Sequence, residues 1–317
     1  MVLTNGNGSF YKILDLAALM QYNLLGKSSL KISEVGFGCM SLGNDDAENA
    51  NVIHKAIELG INFFDTADVY ANGENEITLG KAISNKRSDL IVATKVGNVV
   101  REKGGGFDWN PSKQHILDSV EKSLKRLGTD YIDLYQLHGG TIDDPIDETI
   151  EAFELLQQQG KIRFYGISSI RPNVIREYVK RSSIVSVMMQ YSLLDRRPEE
   201  SCFDLLQQNN IGVLARGGLA KGLIAGKKAT TFLNYSAEDV KELAGVVEKL
   251  TAANRTSAQT GLKFVLNPSI VKSAVTGIRT VEQLIDVCGV SNAPGLTENE
   301  INQLKAVLTP ETYQEHR

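Results

Sequence analysis

Cysteine is scarce. Cys39, Cys202 and Cys288 are the only three in 317 residues, an odd number without CxxC pairing. They fit reduced thiols in a cytoplasmic protein better than a disulfide framework or a cysteine zinc site. Charge of one sign is not in excess either. Lys and Arg number 34 against 38 Asp and Glu, and the net charge of -4 gives nucleic acid or an anionic membrane no electrostatic footing. No apolar run approaches the roughly 20 residues that span a bilayer, so no membrane partner is expected. There are four histidines but no HxH, HExxH or carboxylate cluster at ligand spacing, which argues against a metal site.

What is present is ordinary globular material, 42% hydrophobic and 23% charged, with ample length for a large core. The stretch "MVLTNGNGSFYKILDLAAL" precedes a second methionine, Met20, and lacks the basic start and cleavage site of a secretory signal. Residues 1–19 read as an extension outside the fold, and residues 20–317 as one domain with no linker inside it.

From Val35 onward, short apolar runs alternate with amphipathic segments. The runs "VGFGC", "INFFDTA", "LIVATK", "YIDLYQLH", "IRFYGISS", "VSVMMQY", "IGVLARG" and "KSAVTGI" have the composition of buried parallel strands. Between two of them, "NPSKQHILDSVEKSLKRLG" places Ile116, Val120, Leu124 and Leu127 on one helical face, opening at Asn110 and Pro111 and stopping at Gly128. "DPIDETIEAFELLQQQGK" repeats the scheme with Ile146, Ile150 and Phe153, ending at Gly160. Eight such units predict an α/β fold of the (β/α)8 TIM barrel type. The competing doubly wound sheet needs a glycine-rich phosphate turn after its first strand, and "GFGCMSLG" is not GxGxxG. "YNLLGKSSLKIS" reads as an N-terminal β-hairpin closing the barrel floor, and "SAEDVKELAGVVEKL" as an extra helix before the last strand.

In a barrel, chemistry gathers where strands end. Polar residues terminate the apolar runs at Asp65, Lys95, His138, Ser168, Ser169, Gln190, Arg216, Thr276 and Arg279, with Tyr70 in the loop after Asp65. A buried Lys95 needs a counter-ion, which Asp65 on the adjacent strand can supply. A cationic Lys95 beside the Tyr70 hydroxyl would stabilise phenolate and lower its pKa from about 10. Tyr70 could then give a proton to a carbonyl oxygen while His138 orients the same oxygen. Taken singly, each of these residues is more often a cap, a surface group or a structural polar residue. Together on neighbouring strand ends they form one chemical group.

In order along the chain, "GFGCMSLG", "FDTADVYANGENE", "ATKVG", "YIDLYQLHGG", "GISS", "QYSLLDR" and "TGIRTVEQL" resemble the aldo-keto reductase superfamily. Within it, the chain is most similar to bacterial reductases related to potassium-channel β-subunits, over residues 22–308. The resemblance implies a barrel that binds NADP(H) across its strand ends and reduces a small-molecule aldehyde or ketone, with Asp65, Tyr70, Lys95 and His138 as catalytic tetrad. It also implies cofactor contacts. Gly38, Cys39 and Met40 follow the first strand, joined by Asp65 from the second. Ser168 and Ser169 stand where Ser-Asn is common. Met188 takes the place of the usual glutamine, with Gln190 on the same strand face one step nearer the rim.

Where relatives carry an aromatic followed by Ser-Pro-Leu this chain reads "RGGLAKG", with Arg216, Gly217, Leu219 and Lys221 as its cofactor positions, so the Arg216 guanidinium stands where a ring usually stacks on the nicotinamide. Its charge would favour the neutral reduced ring over the cationic oxidised one. Gly277, Arg279, Gln283 and Asp286 match the adenosine-phosphate end, with Val287 replacing a common asparagine, and Arg279 at a helix start suits a 2′-phosphate. Ala71 stands where glycine is frequent and Asn75 where serine is frequent. The loop "GNVVREKGGGFDWNPS" either covers the site with Trp109 and Phe107 or packs them on the barrel. Two other functions compete with reduction. One is an NADP(H)-binding regulatory module with little turnover. The other is a Schiff-base aldolase on Lys95, which a close Asp65 would oppose by keeping the amine protonated.

Overall fold

The strand-and-helix alternation closes on itself. In a computed structural model of the chain, which describes residues 2–4, 10–12, 20–101, 104–251 and 255–317, eight parallel strands form a closed barrel. They are β1 (Val35–Gly38), β2 (Phe63–Asp65), β3 (Ile91–Val96), β4 (Ile132–Leu137), β5 (Ile162–Ser168), β6 (Ser186–Gln190), β7 (Gly212–Arg216) and β8 (Val271–Gly277). Strand β8 returns to pair with β1, Ala274 lying opposite Val35 and Gly277 opposite Gly38.

Two packed layers follow from the period-2 alternation of each strand. Inside the barrel, Phe63, Ile91, Leu134, Met188, Leu214 and Val275 meet. The expected floor hairpin pairs Tyr22–Leu24 with Lys31–Ser33 and feeds Leu25, Leu30 and Ile32 into the same inner cluster. Space there is tight: a Cβ on Gly166 would stand 2.5 Å from the Ser186 hydroxyl. The outward strand residues pack beneath the helices, among them Val92, Tyr135, Ile167 and Val213.

The helices in chain order are α1 (Asp46–Glu58), α2 (Glu74–Ile83), α3 (Lys113–Leu127), α4 (Ile146–Gln158), α5 (Pro172–Arg181), α6 (Cys202–Gln208), α7 (Ala237–Lys249), α8 (Ser257–Leu266), α9 (Val281–Cys288) and α10 (Glu298–Val307). Helix α3 buries the expected face of Ile116, Val120, Leu124 and Leu127 and stops at Gly128, whose φ is 62°. It starts later than Asn110 and Pro111 suggest, because Ser112 makes the cap by accepting from the His115 amide. Helix α7 is the extra helix expected before the last strand, and it opens with a capping box of Ser236 and Asp239. Of the segment 1–19, Val2–Thr4 and Phe10–Lys12 pair antiparallel, and residues 1, 5–9 and 13–19 lie outside the described residues. Among the described residues, no helix is long and apolar enough to cross a membrane.

Candidate active site

Three neighbouring strands deliver the first groups to one end of the barrel. Asp65 ends β2, Lys95 is the fifth residue of β3, and β4 places Gln136 directly across from Lys95. Lys95 Nζ donates to Asp65 Oδ2 at 2.5 Å, to the Thr66 carbonyl at 2.7 Å and to Tyr70 OH at 3.4 Å. Asp65 Oδ1 accepts from Gln136 Nε2 at 3.2 Å. His138 follows β4 and leans its ring edge-on to Tyr70, with centroids 5.8 Å apart. The four residues picked from strand ends therefore meet in space.

The electrostatics follow from burial. Lys95 is 1% exposed, and burial opposes its charge, yet Asp65 and Tyr70 outweigh burial and hold its pKa above the ordinary lysine value. An ammonium with acceptors on three sides is an ion-paired cation. Burial also dominates at Tyr70 and raises its phenol, Lys95 pulling the other way and Asp65 adding to the rise. This corrects the expectation of a lowered tyrosine: its hydroxyl is buried, and its contact with Lys95 is long. His138 moves oppositely. Burial, then Lys95 and Arg216, push its imidazole down to about 3, so the ring is neutral at physiological pH.

Three residues missed at the sequence level, and Asn75, noted there only as replacing a frequent serine, complete this end of the barrel. Gln136 stands two residues before His138 in an apolar run, and that inward parity was the available signal. Asn75 is buried, accepts from Thr66 Oγ1 at 2.7 Å and donates to the Cys39 carbonyl at 2.8 Å, tying the ends of β1 and β2 together. Glu76 is fully buried and Asp68 mostly so. Burial, with help from Glu76, raises Asp68 to about 7 against the pull of Arg126.

The expected cofactor positions line the remaining strand ends. Cys39 turns its side chain into the outer core and leaves its carbonyl to Asn75, whereas Met40 is 70% exposed. Ser168 ends β5 and Ser169 follows it, both buried, the Ser169 hydroxyl accepting from the Arg171 amide. Met188 belongs to the inner core, and Gln190, one step nearer the rim, accepts from Arg216 Nη1 at 3.2 Å. After β7 the chain turns through Gly217 (φ 70°), Ala220 (φ 46°) and Lys221 (φ 60°), with Leu219 half-buried between them.

At the end of β8, Gly277 and Arg279 are exposed, and among the described residues the Arg279 guanidinium forms no ion pair. Gln283 accepts from the Arg279 amide at 3.0 Å. Asp286 is committed elsewhere, accepting from Thr256 and from Gln259 and so bracing the start of α8. The loop after β3 is a second hairpin, Asn98–Val100 with Phe107–Trp109. Trp109 packs its ring over Gly97 and Gly139, where added Cβ atoms would stand 2.6 and 3.3 Å away, and donates to Asp144. Phe107 is 51% exposed. Of the two readings of this loop, packing on the barrel describes Trp109.

Comparison with known proteins places the chain in a family. The model of the aldo/keto reductase family fits residues 34–309. An uncharacterised oxidoreductase of Bacillus subtilis, YqkF, is 50% identical over 307 residues, which are 94% of this chain and all of that protein. The holo form of the aldo-keto reductase AKR11C1 from Bacillus halodurans superposes with a TM-score of 0.89 at 46% identity, covering 94% of this chain and 99% of that one. A probable voltage-gated potassium channel β-subunit of Oryza sativa is 28% identical over 324 aligned positions, 91% of this chain and 97% of that protein.

Proposed function

Because the chain belongs to the aldo/keto reductase family, we propose that residues 20–317 form one NADPH-dependent reductase domain in which Tyr70 protonates the oxygen of an aldehyde or ketone. The observation that carries this reading is the Lys95 ammonium, which donates at once to Asp65 and to the Tyr70 hydroxyl. By donating to the phenol oxygen, Lys95 leaves the phenol proton free to point at a substrate. As that oxygen gains negative charge, Tyr70 releases the proton and Lys95 stabilises the phenolate that forms. Asp65 keeps the ammonium in place and charged. His138, neutral, donates one hydrogen bond to the same oxygen and helps fix its direction.

The strand-end residues fit a nicotinamide cofactor, which supplies the hydride when bound. Among the described residues the Ser168 hydroxyl and the Gln190 amide NH₂ make no hydrogen bond, which suits them to a carboxamide. Gly217 and Gly218 let a pyrophosphate approach the backbone. Arg279, exposed and without an ion pair among the described residues, stands just before α9 and suits a 2′-phosphate. Arg279→Gln is expected to raise the NADPH KM by about 10- to 100-fold, the worth of one charge-assisted hydrogen bond, and to leave the NADH KM alone. Parallel initial-rate series with the two cofactors measure this, and equal changes for both would remove the 2′-phosphate assignment.

Arg216 sits where its charge already reaches His138 and Tyr70. A guanidinium stacked on the nicotinamide favours the neutral reduced ring, so Arg216→Tyr should tighten NADP⁺ relative to NADPH. Fluorescence titration with both redox forms reads the ratio, and an unchanged ratio sinks the idea. An NADPH-oxidation screen with methylglyoxal, glyceraldehyde and benzaldehyde tests the reductase reading itself. Tight NADPH binding with no oxidation by any of them would favour a regulatory module instead.

A further inference from the structure

We infer that Arg126, on the helix of a different βα unit, is a positioning residue for Tyr70, holding the turn that carries the phenol through Glu76 and through a close seat beneath Gly73. The inference rests on Tyr70 being the proton donor. Tyr70 opens a short turn, Tyr70–Gly73, between Asp65 and α2. Ala71 and Asn72 have φ of 47° and 55°, and Gly73 has 93°. Two consecutive non-glycine residues in the left-handed region are unfavourable by themselves, so the surroundings must hold them there.

Those surroundings are specific. On the strand side, the Asp68 amide donates to the Lys95 carbonyl at 3.3 Å and the Tyr70 amide to the Ala67 carbonyl at 3.1 Å. On the helix side, Glu76 spreads its buried carboxylate between two elements. Its Oε1 accepts from Thr94 Oγ1 at 2.6 Å, and Thr94 immediately precedes Lys95. Its Oε2 accepts from Arg126 Nε at 2.6 Å. Thus one carboxylate links the residue before Lys95, the helix that follows the Tyr70 turn, and α3.

Arg126 also touches the turn directly. A Cβ on Gly73 would stand 2.8 Å from Arg126 Cδ, so the arginine stem lies against the glycine and only glycine fits there. The outer side of the turn borders a cavity of about 320 Å³ lined by Asp68, Val69, Asn72 and Arg126 among others. Arg126 lines that space while holding Glu76 and lying against Gly73. Asp68, two residues before Tyr70, has its Oδ1 buried without a hydrogen-bond partner among the described residues and feels both Glu76 and Arg126. Arg126 does not touch the reacting groups. It acts on the backbone that aims one of them.

The test uses a variant that folds. Arg126→Met alone would strand the buried Glu76, so the double variant Arg126→Met/Glu76→Gln removes both charges and keeps an acceptor for Thr94. With methylglyoxal and NADPH, kcat is expected to fall by about 10- to 100-fold, the scale of a misplacement of roughly 1 Å. The carbonyl KM and the NADPH Kd should stay within about two-fold of wild type. Arg126→Lys, which keeps a cation for Glu76, should recover part of the loss. A folded double variant with kcat within about two-fold of wild type overturns the inference, as does an NADPH Kd that rises in step with the fall in kcat. Tyr70→Phe run alongside separates the two readings. If it loses turnover while the double variant does not, Tyr70 remains the donor and Arg126 is only structural.

Discussion

Tyr70→Phe is expected to lower kcat by about 10²- to 10⁴-fold, the usual contribution of a positioned general acid. NADPH affinity and Tm should stay near the wild-type values, because the change removes one oxygen and little packing. Among the described residues the phenol oxygen accepts one long bond, from Lys95 at 3.4 Å, and the ring keeps its edge contact with His138. The sign of the pH dependence also follows. Burial raises the phenol, so the protonated form that reduction needs persists through neutral pH, and loss of that proton should lower wild-type kcat on the alkaline side. Initial rates of NADPH oxidation with methylglyoxal, beside a fluorescence titration of NADPH, decide the matter. Turnover retained in Tyr70→Phe would refute the assigned donor.

Lys95→Met should damage both turnover and stability. It leaves Asp65, which is 4% exposed, with Gln136 as its remaining side-chain donor. Removing one partner of a buried ion pair costs about 3–5 kcal/mol, a Tm loss on the order of 10 °C for a chain of this size. Lys95→Met/Asp65→Asn takes away the stranded charge and should regain most of the Tm by thermal melting. It should not regain turnover, since nothing cationic then faces the phenolate. A double variant that recovers both would mean that the pair serves packing alone.

The barrel was legible because each strand is a short apolar run and each helix carries a 3.6-residue stripe. The strand-end polar residues were legible for the same reason: Asp65 and Lys95 interrupt runs that are otherwise apolar. What sequence could not weigh was the depth of burial. Lys95 does pull the Tyr70 phenol down, as its charge suggests, but the barrel encloses the hydroxyl and burial wins. Residues that act through the backbone were also invisible. Glu76 and Arg126 sit on helices, where a polar residue reads as a solvated face until the fold shows Glu76 fully buried. Asp286 shows the converse. Its position suggested a ligand, and the structure gives its carboxylate to the cap of a neighbouring helix.

The pairing of β8 with β1 carries a consequence for how the chain reaches this structure. Asp65, Tyr70, Lys95, Gln136 and His138 all lie on or just after β2, β3 and β4, so the groups around Tyr70 come together from a stretch of fewer than 80 residues. During synthesis that half emerges first. Until β8 arrives, the β1 edge opposite Ala274 has no partner, and until β5 arrives neither does that of β4. Two open parallel edges on an apolar half-barrel are an aggregation hazard, and closure joins residues about 240 positions apart, a contact of high sequence separation of the kind that slows folding. The groups proposed to move the proton are thus encoded early in the chain, while the pairing that closes the barrel around them comes from its far end.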